Sequence, residues 1–194
     1  MQALIEHLQS FIPLDVIELN MILSKATKKT VKRKQMLVQE GFVCKYYTFV
    51  LKGCFRMYAL DERGNEHNLQ FAAENDWISD LDSFYSGKPS KLFIEAIESG
   101  VIIQIEQQDL YSLFTHIPKL NRIFKVIVEH KFIEFQNRVL QNISSTAEQR
   151  YLNFLEQYPP IAQRIPNTQI ASYLGITPEF LSKIRKDLSK KQNS

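Results

Sequence analysis

Cysteine is almost missing from this chain, with two residues, Cys44 and Cys54, among 194. Two thiols cannot form a disulfide framework or supply the four thiolates of an iron–sulfur cluster. They are either two buried thiols or, if adjacent strands bring them together, a redox pair. The four histidines, His7, His67, His116 and His130, stand apart from one another without Cys or carboxylate partners at metal spacing. No metal and no cofactor is therefore expected. The chain has no Gly-rich phosphate loop, GxSxG or HExxH sequence, so an enzyme has no nucleophile–base pair to stand on. No apolar stretch approaches the roughly 20 residues that a bilayer crossing takes. The start, MQALIEHLQSFIPLD, carries acids and lacks a basic segment followed by an apolar core. A soluble, cytoplasmic protein with no membrane partner is expected.

Glycine is scarce as well, and its placement divides the chain. Five of the six glycines, Gly41, Gly53, Gly64, Gly87 and Gly100, fall in the first hundred residues, and Gly175 stands alone afterwards. Turn signals at such intervals, between short Val/Ile/Tyr/Phe-rich runs, indicate antiparallel strands in a sandwich or roll. The runs are KYYTFVLKG, CFRMYAL, HNLQFAA, KLFIEAIES and VIIQIEQ. DERGNE, with Gly64, suits a tight hairpin between the second and third. KLFIEAIE is partly apolar on both faces and should be a central strand. Apolar spacing of three and four predicts helices over residues 1–10 and 14–25, separated by Pro13.

After Gln108 the period is helical. Asp109 is placed to cap DLYSLFTHI, and Pro118 suits the first turn of a helix running to about Ile143. One seam of that helix holds Phe124, Val128, Phe132, Phe135, Val139 and Ile143; a second strip holds Leu120, Ile123, Ile127 and Leu140. A helix apolar on two faces must bury two faces. One covers its own roll, and the other points to the same helix of a second subunit. Phe124, Val128, Phe132, Phe135 and Val139 are the expected dimer interface.

Net charge is +3, and the surplus lies at the end. From Thr177 to Ser194 there are five cations and two anions, while residues 1–176 balance. Such an end suits phosphate contact, or is a solvated Lys-rich tail. Lys25 to Lys34 holds six cations and no acid, and reads as a solvated strand face or an edge guard. Thr146 and Gln149 are placed as a capping box for TAEQRYLNFLEQY, which Pro159-Pro160 ends. In IPNTQIASYLGITPEFLSKIRKDL, Asn167 or Thr168 caps a helix whose Ile170, Ala171 and Leu174 face inward. Gly175 makes the turn, Thr177 caps the next helix with Pro178 first, and Leu181, Ile184 and Leu188 form its inner stripe. This is a helix-turn-helix pattern. Glu179, Phe180, Ser182, Lys183 and Lys186 remain outside the stripe. Glu179 can accept from cytosine and Lys183 can donate to guanine or phosphate; Thr168, Gln169 and Thr177 sit where helix N-termini favour phosphate. A helical hairpin docking to another protein gives the same pattern.

On IASYLGITPEFLSKIRKDL and AENDWISDLDSFYSGKPSKLFIEAIES the chain resembles the Crp/Fnr-type regulators, including their small branch in Bacteroidetes-type bacteria. The resemblance implies an α+β chain: a jelly-roll-like, cyclic-nucleotide-binding-like sensory roll over residues 1–117, a dimerisation helix over 118–143 and a helix-turn-helix domain over 144–194. It implies a homodimeric transcription regulator with double-stranded DNA and RNA polymerase as partners and a small-molecule effector of unknown identity. The alternative is a ligand-binding roll whose helical end docks to protein. Pro178 stands where a family arginine is common. The family's phosphate-binding arginine and ribose-binding glutamate are not conserved in kind: the counterparts are Ser79, Asp80, Leu81 and Asp82, then Ser90, Lys91 and Leu92. Ser79, Asp80, Ser90 and Lys91 are the candidate pocket residues. A cyclic monoanion facing two Asp and one Lys is poorly compensated, so cyclic AMP is not the expected ligand.

Overall fold

The computed structural model describes residues 1–192. Two helices, α1 (Gln2–Gln9) and α2 (Val16–Lys25), precede the strands. Asp15 caps α2 in a reciprocal box with Glu18, which also explains why the helix starts after Pro13 rather than at it. Val16 and Ile17, in the first turn of α2, are largely exposed.

Eight strands follow: β1 (Ala26–Val31), β2 (Met36–Val38), β3 (Tyr46–Lys52), β4 (Phe55–Leu60), β5 (Glu66–Ala72), β6 (Trp77–Ile78), β7 (Phe93–Ala96) and β8 (Gly100–Glu106). They form two four-stranded sheets, in the orders β1-β8-β3-β6 and β2-β7-β4-β5. The five apolar runs of the sequence are β3, β4, β5, β7 and β8, and β7 is central as its two-sided apolar pattern requires. The Lys-rich run forms β1, an edge strand paired to β8 from Ala26↔Ile105 to Val31↔Gly100. Its lysines leave that edge unattractive to another strand. The short β2 and β6, and the helix α3 (Leu81–Ser86), have no periodic signal because each is only two to six residues long.

The chain divides into two compact units, Met1–Met57 with Phe71–Lys131, and Tyr58–Gln70 with residue 132 onward. In the first unit the inner strands β3 and β8 of the β1-β8-β3-β6 sheet are buried on both sides. Tyr47, Phe49, Ile103 and Ile105 pack with Leu4 and Leu8 of α1 and with Leu110 and Leu113 of α4 (Gln107–His116). Val50 and Ile102, pointing the other way, pack with Phe55, Ile78 and Ile94. The roll also encloses charge. Arg56 donates from Nε and Nη2 to Glu95 Oε2 at 2.8 and 2.6 Å, both side chains nearly inaccessible. A buried pair of this kind is tolerated because each charge neutralises the other. The expected cap of α4, Asp109, lies inside the helix and instead pairs with Lys25 at 2.7 Å.

Pro118 opens α5 (Pro118–Ser144), a continuous helix of 27 residues. Leu120, Ile123, Phe124 and Ile127 belong to the core of the first unit. The remaining elements are α6 (Ala147–Gln157), α7 (Pro159–Ala162), α8 (Asn167–Leu174) and α9 (Pro178–Gln192). The Thr146–Gln149 capping box of α6 is formed. The core of the second unit gathers Tyr151, Phe154, Ile161, Ile170, Ala171, Leu174, Leu181 and Ile184.

Candidate nucleic-acid interface

Helix α8 ends on Gly175 at φ +67°, a left-handed position that glycine adopts without a Cβ penalty. The Ile176 N–H returns to the Ala171 carbonyl, and Thr177 Oγ1 accepts the Phe180 N–H at 3.2 Å to start α9. The expected cap of α8 at Asn167 or Thr168 is not made; Pro166 precedes the helix without a side-chain bond. Asn167 Oδ1 instead accepts from Arg185, which staples the start of α8 to α9. Lys191 does the same for the far end of α9, bonding Glu148 at 2.8 Å.

Leu181 and Ile184 are buried, leaving Glu179, Phe180, Ser182, Lys183 and Lys186 exposed along α9. The Ser182 hydroxyl donates back to the Pro178 carbonyl at 2.9 Å. Thr168 and Thr177 are exposed at the helix N-termini. Gln169 is half-buried, because Asn68 Nδ2 donates to its carbonyl at 3.2 Å.

That contact belongs to a cluster with no local signature along the chain. The turn of the β4–β5 hairpin is closed by Asp61, whose carboxylate accepts from Asn65, Arg63 and His67. These hydrogen bonds, first those of Asn65 and His67, hold the Asp61 carboxyl below its ordinary range. Farther along the hairpin, the Asn68 N–H donates to Ser172 Oγ at 3.0 Å, and that hydroxyl donates to the Glu66 carbonyl at 2.7 Å. Arg138 of α5 donates to the carbonyls of Leu69, Asn68 and Tyr173 at 2.5, 2.9 and 2.8 Å, with its guanidinium 3.8 Å from the centre of the Tyr173 ring. Burial draws the Arg138 pKa down, and Tyr173 opposes that shift. A cavity of about 850 Å³ lies between hairpin residues 64–68 and the N-terminal ends of α8 and α9, lined by Thr168, Gln169, Thr177 and Glu179 among others.

Of the candidate pocket residues, Asp80 and Ser90 are brought together: Ser90 Oγ donates to Asp80 Oδ2 at 2.6 Å, both buried. Asp80 also caps α3 through the Ser83 N–H. Ser79 is buried but turned to the sheet, where its hydroxyl accepts the Thr48 N–H and has the backbone carbonyls of Tyr46 and Ile78 as alternative acceptors for its one hydrogen. Lys91 is exposed. Of the dimer-seam residues, Phe132, Phe135 and Val139 are exposed and Val128 is half-buried. Phe124 is the correction. It is 2% accessible and packs against Tyr47, Trp77 and Phe114 with ring centres 5.1–5.2 Å apart, so its own fold has taken it. Cys44 and Cys54 are buried and not joined in a disulfide, and burial raises the Cys44 pKa. Among the described residues no group of His, Cys, Asp and Glu is arranged to hold a metal ion, and no helix is long and apolar enough to cross a membrane.

No curated protein matches the sequence. Among solved structures, FixK2 from Bradyrhizobium japonicum is similar at a TM-score of 0.77 and 20% identity, covering 86% of each chain. The c-di-GMP responsive global regulator CLP from Xanthomonas campestris is similar at 0.73 and 13%, covering 92% of this chain and 93% of its own. A protein from Eubacterium rectale assigned to the crp/fnr family is similar at 0.71 and 16%, with 92% and 85% covered. Residues 28–116 match the cyclic nucleotide-binding domain, and the chain as a whole has the α+β fold of the Crp/Fnr regulators.

Proposed function

We propose that this protein is a homodimeric, sequence-specific DNA-binding transcription regulator whose roll has lost the site for cyclic AMP. The observation that carries the reading is the exposed row Glu179, Ser182, Lys183 and Lys186 on a helix pinned from behind by Leu181 and Ile184. Its spacing suits the major groove: Glu179 and Lys183 lie one turn apart on one face and address neighbouring base pairs. Thr168 and Thr177 offer backbone N–H groups and side chains, and Gln169 its side chain, to phosphates. In this reading residues 1–117 form the sensory part, 118–143 the dimerisation helix and 144–194 the reading head. RNA polymerase is the downstream partner, and the cytoplasm is the place of action. The Asp80–Ser90 bond supports a degenerate pocket, since both groups that would face a cyclic phosphate and ribose are already spent on each other.

Selection of binding sites from random duplexes tests this. The two-fold dimer should enrich a pseudo-palindrome with half-sites about one helical turn, roughly 34 Å, apart. Glu179→Ala should relax preference at one base pair per half-site, a loss of about 1–3 kcal/mol in discrimination. Lys190→Ala, beyond the groove-facing part, should weaken all sequences alike and flatten the salt slope by about one unit. An unchanged preference at every position in the Glu179 variant removes α9 as the reading head. Salt-insensitive attachment to a protein instead favours the docking alternative.

A further inference from the structure

We propose that Phe180 is a base-reading residue of α9 and that it recognises thymine by its C5-methyl group. The inference rests on the DNA-binding reading above and deepens it, naming a base that the pair Glu179 and Lys183 is not matched to. Phe180 is 47% accessible, whereas Leu181 and Ile184 of the same helix are 0% and 5% accessible. The fold has therefore not used the ring, although burying a phenyl group is among the larger stabilising contributions a side chain can make. Glu179 precedes it and Lys183 follows one turn later, both exposed. By helix geometry Phe180 stands about 100° round the axis from Glu179 and about 60° from Lys183. That places the ring on the flank of the reading face, beside the charged row.

The chemistry leaves one target. A phenyl ring neither donates nor accepts a conventional hydrogen bond, so it serves neither phosphates nor the polar base edges. Among the four bases, the thymine C5-methyl is the one apolar group displayed in the major groove. The ring is also held where the groove meets it. The Phe180 N–H donates to Thr177 Oγ1 at 3.2 Å, the Leu181 N–H to the Thr177 carbonyl at 3.0 Å, and the Ser182 hydroxyl to the Pro178 carbonyl at 2.9 Å. These bonds fix the backbone that carries the ring, so little remains to be ordered on binding. Aromatic side chains on helices lean back over the preceding turn. The ring therefore lies over the N-terminal end of α9, the end that recognition helices point at base edges. Phe180 is about 1.5 Å along the axis from Glu179, and base pairs stack about 3.4 Å apart. The thymine is then within one base pair of the pair that Glu179 addresses.

The test uses the full chain and a duplex that it enriches from a random pool. Each thymine is replaced in turn by uracil in both half-sites, which removes the C5-methyl and keeps O4 and the base pairing. A buried methyl is worth about fourfold in affinity, so one position, replaced in both half-sites, should cost roughly tenfold. That position should lie within one base pair of the one at which Glu179→Ala relaxes preference. Phe180→Ala should bind the thymine duplex about tenfold more weakly than wild type and should bind the thymine and uracil duplexes alike. Its melting temperature should stay that of wild type, because the ring is exposed. Phe180→Leu keeps an apolar group and should retain part of the discrimination. A wild type blind to uracil at every position overturns the assignment with DNA binding intact. So does a sensitive position that stays equally sensitive in Phe180→Ala. If Phe180→Ala does not fold, Phe180→Gln takes its place, and the wild-type scan decides independently of either. If no duplex is enriched, the DNA-binding reading itself fails, and the assignment with it.

Discussion

His7 shows how much one side chain in a core can be made to depend on pH. The Trp77 indole N–H donates to His7 Nε2 at 3.1 Å, so that nitrogen must be unprotonated. Phe11 and Phe49 pack on the same imidazole at 5.2 and 5.1 Å between ring centres. Burial lowers the His7 pKa below its ordinary 6.5. The unfolded chain therefore takes up a proton at a higher pH than the folded one. The stabilising contribution is complete above pH 6.5 and is lost as pH falls below it, towards the folded-state pKa. Urea midpoints followed by the fluorescence of Trp77, the only tryptophan, should fall from pH 7.5 to 5 in wild type. His7→Gln keeps an acceptor for the indole and does not titrate, so its midpoint should fall less; an equal fall rules out His7 as the cause. Gly100 tests packing at the same scale. A Cβ there would collide with the Lys52 carbonyl oxygen, with Gly53 close behind it. Backbone on both sides cannot yield as a side chain would. Gly100→Ala should lower unfolding free energy by about 1–3 kcal/mol in urea titrations, and a loss under a few tenths contradicts the close approach.

Helix α5 is the element with the sharpest change of surroundings. Its first half is buried by Leu120, Ile123, Phe124 and Ile127, while Phe132, Phe135, Val139, Leu140 and Ile143 are exposed. Large apolar side chains in a continuous exposed row mark a surface that another chain covers. In the proposed dimer a second copy of the helix, related by a two-fold axis, would meet the row with itself. Phe132→Glu and Phe135→Glu should each remove about 1.5–3 kcal/mol per protomer, counted twice in the dimer. That is a rise in dissociation constant of roughly a hundredfold or more, readable by sedimentation equilibrium. Wild-type association in both variants would show the seam to be elsewhere. Phe124→Glu should instead unfold the first unit, because its ring sits among Tyr47, Trp77 and Phe114.

For the whole molecule, the question is whether the roll takes a cyclic nucleotide. A ligand raises the melting temperature only so far as it binds the native state. Millimolar cyclic AMP should cause no saturable rise, since Ser90 stands in place of a bidentate arginine and is bonded to Asp80, while Lys91 faces solvent. A rise of several degrees that disappears in Lys91→Ala would show that the pocket opens and takes the nucleotide.

The sequence determined what depends on neighbours along the chain. Gly175, the Thr177 cap and the Leu181–Ile184 stripe lie within ten residues and left one arrangement for α8 and α9. Glycine spacing and alternating apolar runs similarly fixed five strands and the central place of β7. Tertiary structure decided whatever depends on residues far apart. It spent Phe124 on the core of the first unit, neutralised Arg56 with Glu95 and closed Asp80 onto Ser90. It also set Asn68 against Ser172, 104 positions away. Hydrogen bonds and packing of that range leave no period or spacing in the chain, because only the folded backbone brings their partners within reach.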